Sequence, residues 1–251
     1  MKFRVKAFGL HLLSSFIVLT LILGALYLGW YHWPGWYLAD CVKVTGALTG
    51  VDLVIGPLLT LIIASPKKPR TELMRDIGVI AVIQLCALGY GAYQLWNGRP
   101  LFYAFSEDVL QIVQAYDFDA SELASARQAD LPLAPHWYSI PRWIWAPLPD
   151  DPQAREKIVA GVIAGGSDVI DLPRYYRTWE SGLPTLRAQL KPVDAIKYFS
   201  SYDKKILKAR MQAQGIATEQ PNAIALTGRA LPLLVVLDPA SLQIRSIIKT
   251  R

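Results

Sequence analysis

Ionised side chains are missing from three long stretches near the start of this 251-residue chain. Residues 7–39 contain no Asp, Glu, Lys or Arg, residues 44–65 contain only Asp52, and residues 77–98 again contain none. About 20 predominantly apolar residues in a helix cross the hydrocarbon core of a bilayer, and a segment in lipid must be helical to satisfy its own backbone. These absences exclude a wholly water-soluble protein and predict three transmembrane helices, at about residues 8–30, 44–64 and 77–96.

Cysteine is also scarce, and familiar catalytic motifs are missing. The two cysteines, Cys41 and Cys86, fall in or beside the predicted spans, so no disulfide framework stabilises the rest of the chain. No CxxC, HExxH, GxSxG or P-loop pattern occurs, and residues 99–251 contain a single histidine, His136. We therefore expect that the protein is not an enzyme and has no catalytic residue, cofactor or metal site.

Charged residues return at ordinary density after residue 98. The first 98 residues hold 8 of the 26 Lys and Arg and 4 of the 20 Asp and Glu. The remainder has the composition of a folded water-soluble domain. The sequence thus predicts a transmembrane unit over residues 1–98 and a domain outside the bilayer over residues 99–251. Much of the net positive charge lies beside the spans, where topology accounts for it, so we infer no nucleic-acid partner.

Basic residues beside the spans predict the orientation, because loops rich in Lys and Arg stay in the cytoplasm. The N-terminus and the loop between the second and third predicted spans are basic, with Lys2, Arg4, Lys6, Lys67, Lys68, Arg70 and Arg75. The loop between the first two spans carries only Asp40 and Lys43. We expect a cytoplasmic N-terminus and a C-terminal domain on the opposite side of the membrane; in a bacterium with two membranes, the protein then lies in the inner membrane and this domain is periplasmic. The first apolar run is too long for a cleaved signal peptide, so we expect it to remain a span.

The second predicted span holds the candidate partner-binding residues. Gly46 and Gly50 form a small-xxx-small pair that lets another helix approach closely. Gly56 and Pro57 follow, and Pro57 removes one backbone donor and favours a kink. Asp52 lies near the middle of the bilayer, where an ionised carboxylate costs at least about 2.5 kcal/mol and requires a partner.

Two interpretations of Asp52 are open. In the structural interpretation, its carboxylate caps a helix that restarts after Gly50, or bonds Thr49 or another span. In the functional interpretation, it receives a cation from a partner or a substrate.

The C-terminal domain is predicted to be α+β, with an antiparallel sheet packed by helices. Alternating or β-rich runs predict strands, at residues 101–105 and 109–113, which form a hairpin, and at residues 138–146, 223–227, 231–237 and 242–248. Capping residues and helical periodicity predict helices, at residues 119–128 with Asp119 or Ser121 as the cap, at residues 152–165 with the cap in Asp150–Asp151, and at residues 192–214. The last helix has an apolar stripe, formed by Val193, Ile196, Phe199, Tyr202, Ile206, Ala209 and Ala213. We expect a fragment that begins near residue 98 to fold by itself.

Three segments of this chain resemble a known family. Residues 49–61, 89–94 and 99–105, together with the basic loop between the second and third spans, are similar to the type IV pilin accessory proteins of the TfpX/TfpZ type. The resemblance is clearest over residues 40–115. It implies a chaperone or assembly factor that binds type IV major pilin through its membrane helices and its outer domain, with membrane lipid as the other partner. It brings no catalytic residues.

Two other classes of function compete with this one. A membrane-anchored periplasmic sensory or regulatory module would require a cytoplasmic output domain, and the predicted cytoplasmic side offers only a short N-terminus and one short loop. A transporter would have only one buried charge along its pathway.

The predicted topology is tested by reporter fusions. Alkaline phosphatase fused after Arg251 should be active, because the enzyme folds only outside the cytoplasm, whereas a fusion at Lys68 should be inactive. The opposite pattern of activities would contradict the orientation that the basic residues predict.

Overall fold

The computed structural model describes residues 2–250, and the chain divides into two compact units. One unit consists of Met1–His32 and Asp40–Gly98, and the other of Trp33–Ala39 and Arg99–Arg251. The first contains three helices that are long and apolar enough to cross a membrane. The second contains helices and a mixed β-sheet. The predicted class, a membrane protein with three N-terminal transmembrane helices and an α+β extramembrane domain, is confirmed.

The three spans are Lys2–Tyr31, Val42–Ile63 and Arg70–Asn97. They are built from the helices α1 (Lys2–Leu26), α3 (Val42–Thr49), α4 (Gly56–Ile63) and α5 (Arg70–Asn97), and a short helix, α2 (Gly35–Leu38), lies between the first two spans. The first span ends in a π-helical turn at Tyr27–Tyr31, and a second π-helical turn, Gly50–Ile55, joins α3 to α4. The first and third helices extend beyond the predicted apolar windows, because a charged residue ends an apolar run without ending a helix.

Seven strands form one sheet in the order β4-β3-β1-β2-β5-β6-β7. The strands are β1 (Pro100–Ser106), β2 (Val109–Gln114), β3 (Arg142–Trp145), β4 (Arg177–Thr178), β5 (Ala223–Thr227), β6 (Leu233–Leu237) and β7 (Ile244–Ile248). The predicted hairpin β1–β2 and the antiparallel run β5–β6–β7 are confirmed. The purely antiparallel sheet is wrong, because β1 pairs with β3, and β2 with β5, in parallel. Connections that contain helices precede both β3 and β5. They deliver the chain to the end of the sheet at which β1 begins, for β3, and at which β2 begins, for β5.

Among the described residues after Arg99, four α-helices accompany the sheet, namely α6 (Ala120–Gln128), α7 (Pro152–Ile163), α8 (Trp179–Gln189) and α9 (Ser201–Ala213). Two of the predicted caps are confirmed. The carboxylate of Asp119 accepts from the amide of Ser121 at 2.7 Å, and that of Asp151 accepts from the amide of Ala154 at 2.9 Å. The helix α8 was not predicted from the sequence.

The long helix predicted over residues 192–214 is wrong in its first part. Val193–Ala195 forms a single 3-10 turn, and Ser200 then caps α9 by accepting from the amide of Asp203 at 3.1 Å. The break changes the phase of the helix, so the predicted apolar stripe does not form. Leu207 and Met211 are fully buried against the sheet, whereas Tyr202 is 65% exposed.

The segment Trp33–Ala39 belongs to the sheet domain although it connects the first two spans. Leu38 is fully buried, and its carbonyl oxygen accepts from the amides of Arg229 at 2.8 Å and Ala230 at 3.3 Å. Gly228 permits this contact, because a Cβ there would lie 2.7 Å from the Leu38 carbonyl oxygen. The prediction of a domain over residues 99–251 did not include this segment.

Truncation of the buried anchor in this segment should loosen the sheet domain. Leu38→Ala in the full-length protein should lower its stability by about 2–5 kcal/mol, as expected for a buried leucine. Hydrogen exchange in detergent should then show faster exchange at the amides of Arg229 and Ala230. The matched control is Leu231→Ala, since Leu231 is 47% exposed in the same domain. Unchanged protection in Leu38→Ala would show that the segment is not part of the domain.

Candidate functional site within the membrane unit

Asp52 lies in the π-helical turn Gly50–Ile55 and is only 4% exposed. Its Oδ2 atom is buried and has no hydrogen-bond partner among residues 2–250. The hydroxyl of Thr49 donates to the carbonyl of Thr45 at 2.7 Å, and Asp52 caps no helix, so neither of these two structural explanations holds. A π-helical turn inserts an extra residue into a helix and is frequent at functional sites. One oxygen of an acidic side chain is therefore left unsatisfied inside the second span.

A chain of hydrogen bonds connects the three spans beside Asp52. The ring of His11 contacts Thr60 Oγ1 through Nδ1 at 2.6 Å and Gln84 Oε1 through Nε2 at 2.7 Å. The Gln84 amide lies beside the Asp52 carboxyl group and donates to the Asp52 carbonyl in a longer bond of 3.4 Å. Because an amide oxygen only accepts, His11 donates from Nε2 to Gln84, and in this tautomer of the neutral ring Nδ1 accepts from the hydroxyl of Thr60. Contact between Asp52 and another span is thus present, through Gln84.

Two glycines of the membrane unit make room for side chains of neighbouring helices. A Cβ at Gly56 would lie 2.0 Å from Gln84 Nε2, and a Cβ at Gly91 would lie 2.3 Å from a methyl group of Leu48. Gly56 and the adjacent Pro57 are both buried. Gly56 therefore serves the internal packing that positions Gln84.

Gly46 and Gly50 have different surroundings. Within the part of the chain that the structure describes, a Cβ at either residue would meet no atom within 4 Å. Gly46 is exposed and Gly50 is partly exposed. Their predicted role, close contact with another helix, stays a prediction, and the surface that it requires is open in this unit.

A cavity of about 180 Å³ lies next to Asp52. Its lining combines a carboxylate, an imidazole, an amide and two hydroxyl groups with apolar side chains, from His11, Ser14, Ser15, Val18, Asp52, Ala81, Gln84, Leu85 and Leu88. Water occupies about 30 Å³ per molecule in the liquid, so a small polar group and a few attached carbon atoms fit this volume. The carboxylate and hydroxyl oxygens accept hydrogen bonds, and a cation with several donors suits them.

A second, largely apolar groove of about 370 Å³ lies between the second and third spans. Small residues form part of its wall, and the full lining is Lys43, Val44, Ala47, Leu48, Val51, Ala87, Tyr90, Gly91 and Gln94. Small residues let a helix or a lipid chain approach the backbone closely.

His11, Thr60 and Gln84 were not predicted as site residues. The prediction for the spans rested on Asp, Glu, Lys and Arg, and none of these three residues is of those types. The signal that could have found them is a neutral hydrogen-bonding residue in each apolar window, since such residues in a bilayer bond across helices.

In the sheet domain, the carboxyl group of Asp171 bonds the local backbone. Its pKa is raised to about 6, chiefly by burial and also by the charges of Asp117 and Asp168, while a backbone hydrogen bond lowers it. Its Oδ2 accepts from the amide of Asp168 at 3.0 Å, which caps a 3-10 turn.

Among residues 2–250, no group of three or more His, Cys, Asp or Glu is placed to hold a metal ion. His136 stacks on Tyr138 with ring centroids 5.2 Å apart.

These features define an integral membrane protein with a polar site inside its helical unit and a mixed-sheet domain outside the bilayer. The chain belongs to the family of fimbrial assembly proteins. It is 34% identical to the fimbrial assembly protein of serogroups C1 and C2 of Dichelobacter nodosus over 124 residues, which cover 49% of this chain and 95% of that protein. It is also 27% and 26% identical over 240 residues to the fimbrial assembly proteins of serogroups E1 and I of the same organism, with 94% of this chain and 91% of each relative covered. No family model and no solved structure matches the chain.

The glycines of the second span should respond differently to a single methyl group. Gly56→Ala should displace Gln84 and break its hydrogen bonds, at a cost of about 1–3 kcal/mol for overpacking, whereas Gly46→Ala should be tolerated. The measurement is thermal stability and yield of each variant in detergent. Equal stability of the two variants would show that Gln84 is not held in the position described.

Proposed function

We propose that this protein is an inner-membrane accessory protein of type IV pilus assembly, of the TfpX/TfpZ type, which binds the apolar N-terminal helix of the major pilin before its assembly. It acts by binding rather than by catalysis. Its similarity to fimbrial assembly proteins supports a role in fimbrial assembly. The observation that supports the binding mode is the buried, unsatisfied Oδ2 of Asp52 at the edge of a cavity.

The chemistry of the cavity matches one end of such a client. The resemblance implies a mature pilin that begins with a free amine and an apolar helix lying in the membrane. A protonated amine has three donors, and the Asp52 carboxylate with the hydroxyls of Ser14 and Ser15 offers acceptors. Opposite charges attract strongly where the dielectric is low, but desolvation cancels much of the gain. The loss of one member of the pair therefore weakens binding more than the net value of the pair suggests.

The remainder of the client helix requires an apolar surface with small residues. Gly46 and Gly50 precede Asp52 on the same span, and no described atom occupies the space above either of them. Close approach of two backbones at such a pair gives the van der Waals contact that drives helix association in lipid. Neither glycine lines the cavity beside Asp52, so the pair offers the client helix a separate surface of the same span.

The division of the chain into two units also supports an orientation in the membrane. Trp33–Ala39 and Arg99–Arg251 form one unit, which supports placement of the first loop and the C-terminal domain on the same side of the bilayer. The basic N-terminus and the basic loop between the second and third spans then face the cytoplasm. On this basis the sheet domain is periplasmic, where the globular part of a membrane-held pilin also lies.

The binding mode is tested by removing the charge of Asp52. A photo-crosslinking amino acid at Ser15 should capture pilin in cells, and Asp52→Asn should reduce this capture and piliation while the protein stays inserted at its normal level. Removal of one member of a buried pair costs about 3 kcal/mol or more, roughly a hundredfold in affinity. The matched control is Asp76→Asn, which removes a carboxylate of the same unit that bonds Lys68 Nζ at 2.7 Å.

Full capture and full piliation in Asp52→Asn would show that the charge is not needed for the client. Disappearance of this variant from the membrane would assign Asp52 a structural role. Asp76→Asn should leave capture unchanged, and an equal loss there would trace the effect to general damage of the membrane unit.

A further inference from the structure

The loop between α6 and β3 exposes three large apolar side chains in succession. Trp137 is 68% exposed, Tyr138 58% and Ile140 62%, whereas the intervening Ser139 is buried. A contiguous exposed patch of this kind in a folded domain marks a surface that contacts another phase or another molecule. None of these residues belongs to the site around Asp52, so the patch needs its own explanation.

The turn that carries the patch is held by specific bonds. The amide of His136 donates to Ser139 Oγ at 2.9 Å, and the amide of Ser139 donates to the His136 carbonyl at 3.1 Å. Arg127 Nε donates to the carbonyl of Pro135 at 2.9 Å. The three side chains are therefore exposed by a turn that specific hydrogen bonds hold in place.

The side chain of Arg99 bonds the backbone of this turn. The guanidinium of Arg99 donates to the carbonyl oxygen of Trp137 at 3.3 Å, and Arg99 itself is only 6% exposed. Arg99 follows Asn97, the last residue of the third span, by two positions. Two residues of chain extend at most about 7 Å, so the residue whose side chain holds the Trp137 backbone lies within that length of chain from the end of the third span.

We propose that Trp137, Tyr138 and Ile140 insert into the headgroup layer of the bilayer, on the side where the third span ends. Trp and Tyr favour this layer, because their rings are apolar and their NH and OH groups bond to water and headgroups. The exposed Arg142 at the start of β3 adds a positive charge that favours anionic lipid. The turn then anchors the sheet domain to the membrane surface, whatever client the membrane unit binds.

The test compares two exposed isoleucines of the same domain in the full-length protein. In a background where Cys41 and Cys86 are replaced by alanine, Ile140→Cys and Ile163→Cys each carry an environment-sensitive NBD label. Ile163, at the end of α7, is 83% exposed and serves as the control. The protein is reconstituted into vesicles of phosphatidylcholine and phosphatidylglycerol, and the label is quenched by nitroxide lipids or by aqueous iodide.

The label at residue 140 should show blue-shifted emission and several-fold stronger quenching by headgroup or shallow-chain nitroxides than the label at residue 163. Iodide should quench the label at residue 163 more strongly, and because both sites lie in one domain, mixed orientation in the vesicles affects them equally. Equal quenching of both sites by iodide, with none by lipid nitroxides, would overturn the proposal. Protection of residue 140 in native membranes but not in vesicles would also overturn it, and would assign the patch to a protein partner.

Discussion

A carboxylate oxygen without a partner inside a transmembrane helix is the constraint on which the membrane unit depends. Exposure of such a group to hydrocarbon costs several kcal/mol, so the neighbouring spans supply polar groups around it. Gln84 reaches Asp52 from the third span, and His11 holds Gln84 from the first. The π-helical turn Gly50–Ile55 places the carboxyl group at the cavity, and Gly56 leaves room for Gln84. This network leaves Oδ2 buried and without a hydrogen-bond partner among the described residues.

The sheet domain also depends on one short segment, Trp33–Ala39. Leu38 fills a place in its core, and the backbone of Leu38 bonds the connection between β5 and β6. The segment ends two residues before the second span begins at Val42, so the sheet domain takes part of its core from the connection between the first two spans.

The sequence allowed a good prediction of the spans and of local elements, but not of pairings that depend on distant residues. Missing charge predicts the three spans, because the cost of charge in lipid is large and local. The hairpin around Glu107 and the cap at Asp151 follow from neighbouring residues. The parallel pairs of β1 with β3 and β2 with β5 depend on the paths of long connections, and the break before Ser200 interrupts a convincing helical period. Asp52 was found by its charge, whereas His11 and Gln84 matter only through contacts between helices.

The central claim, that the cavity beside Asp52 holds the terminal amine of an apolar helix, is tested most directly by changing that amine. Full-length protein in lipid nanodiscs would be titrated with a fluorescent peptide of the pilin N-terminal helix, with its amine either free or acetylated. Acetylation removes the charge and preserves the apolar helix, so this account predicts tighter binding of the free-amine peptide by roughly a hundredfold, the value of about 3 kcal/mol for a buried pair. Equal affinity of the two peptides would contradict it.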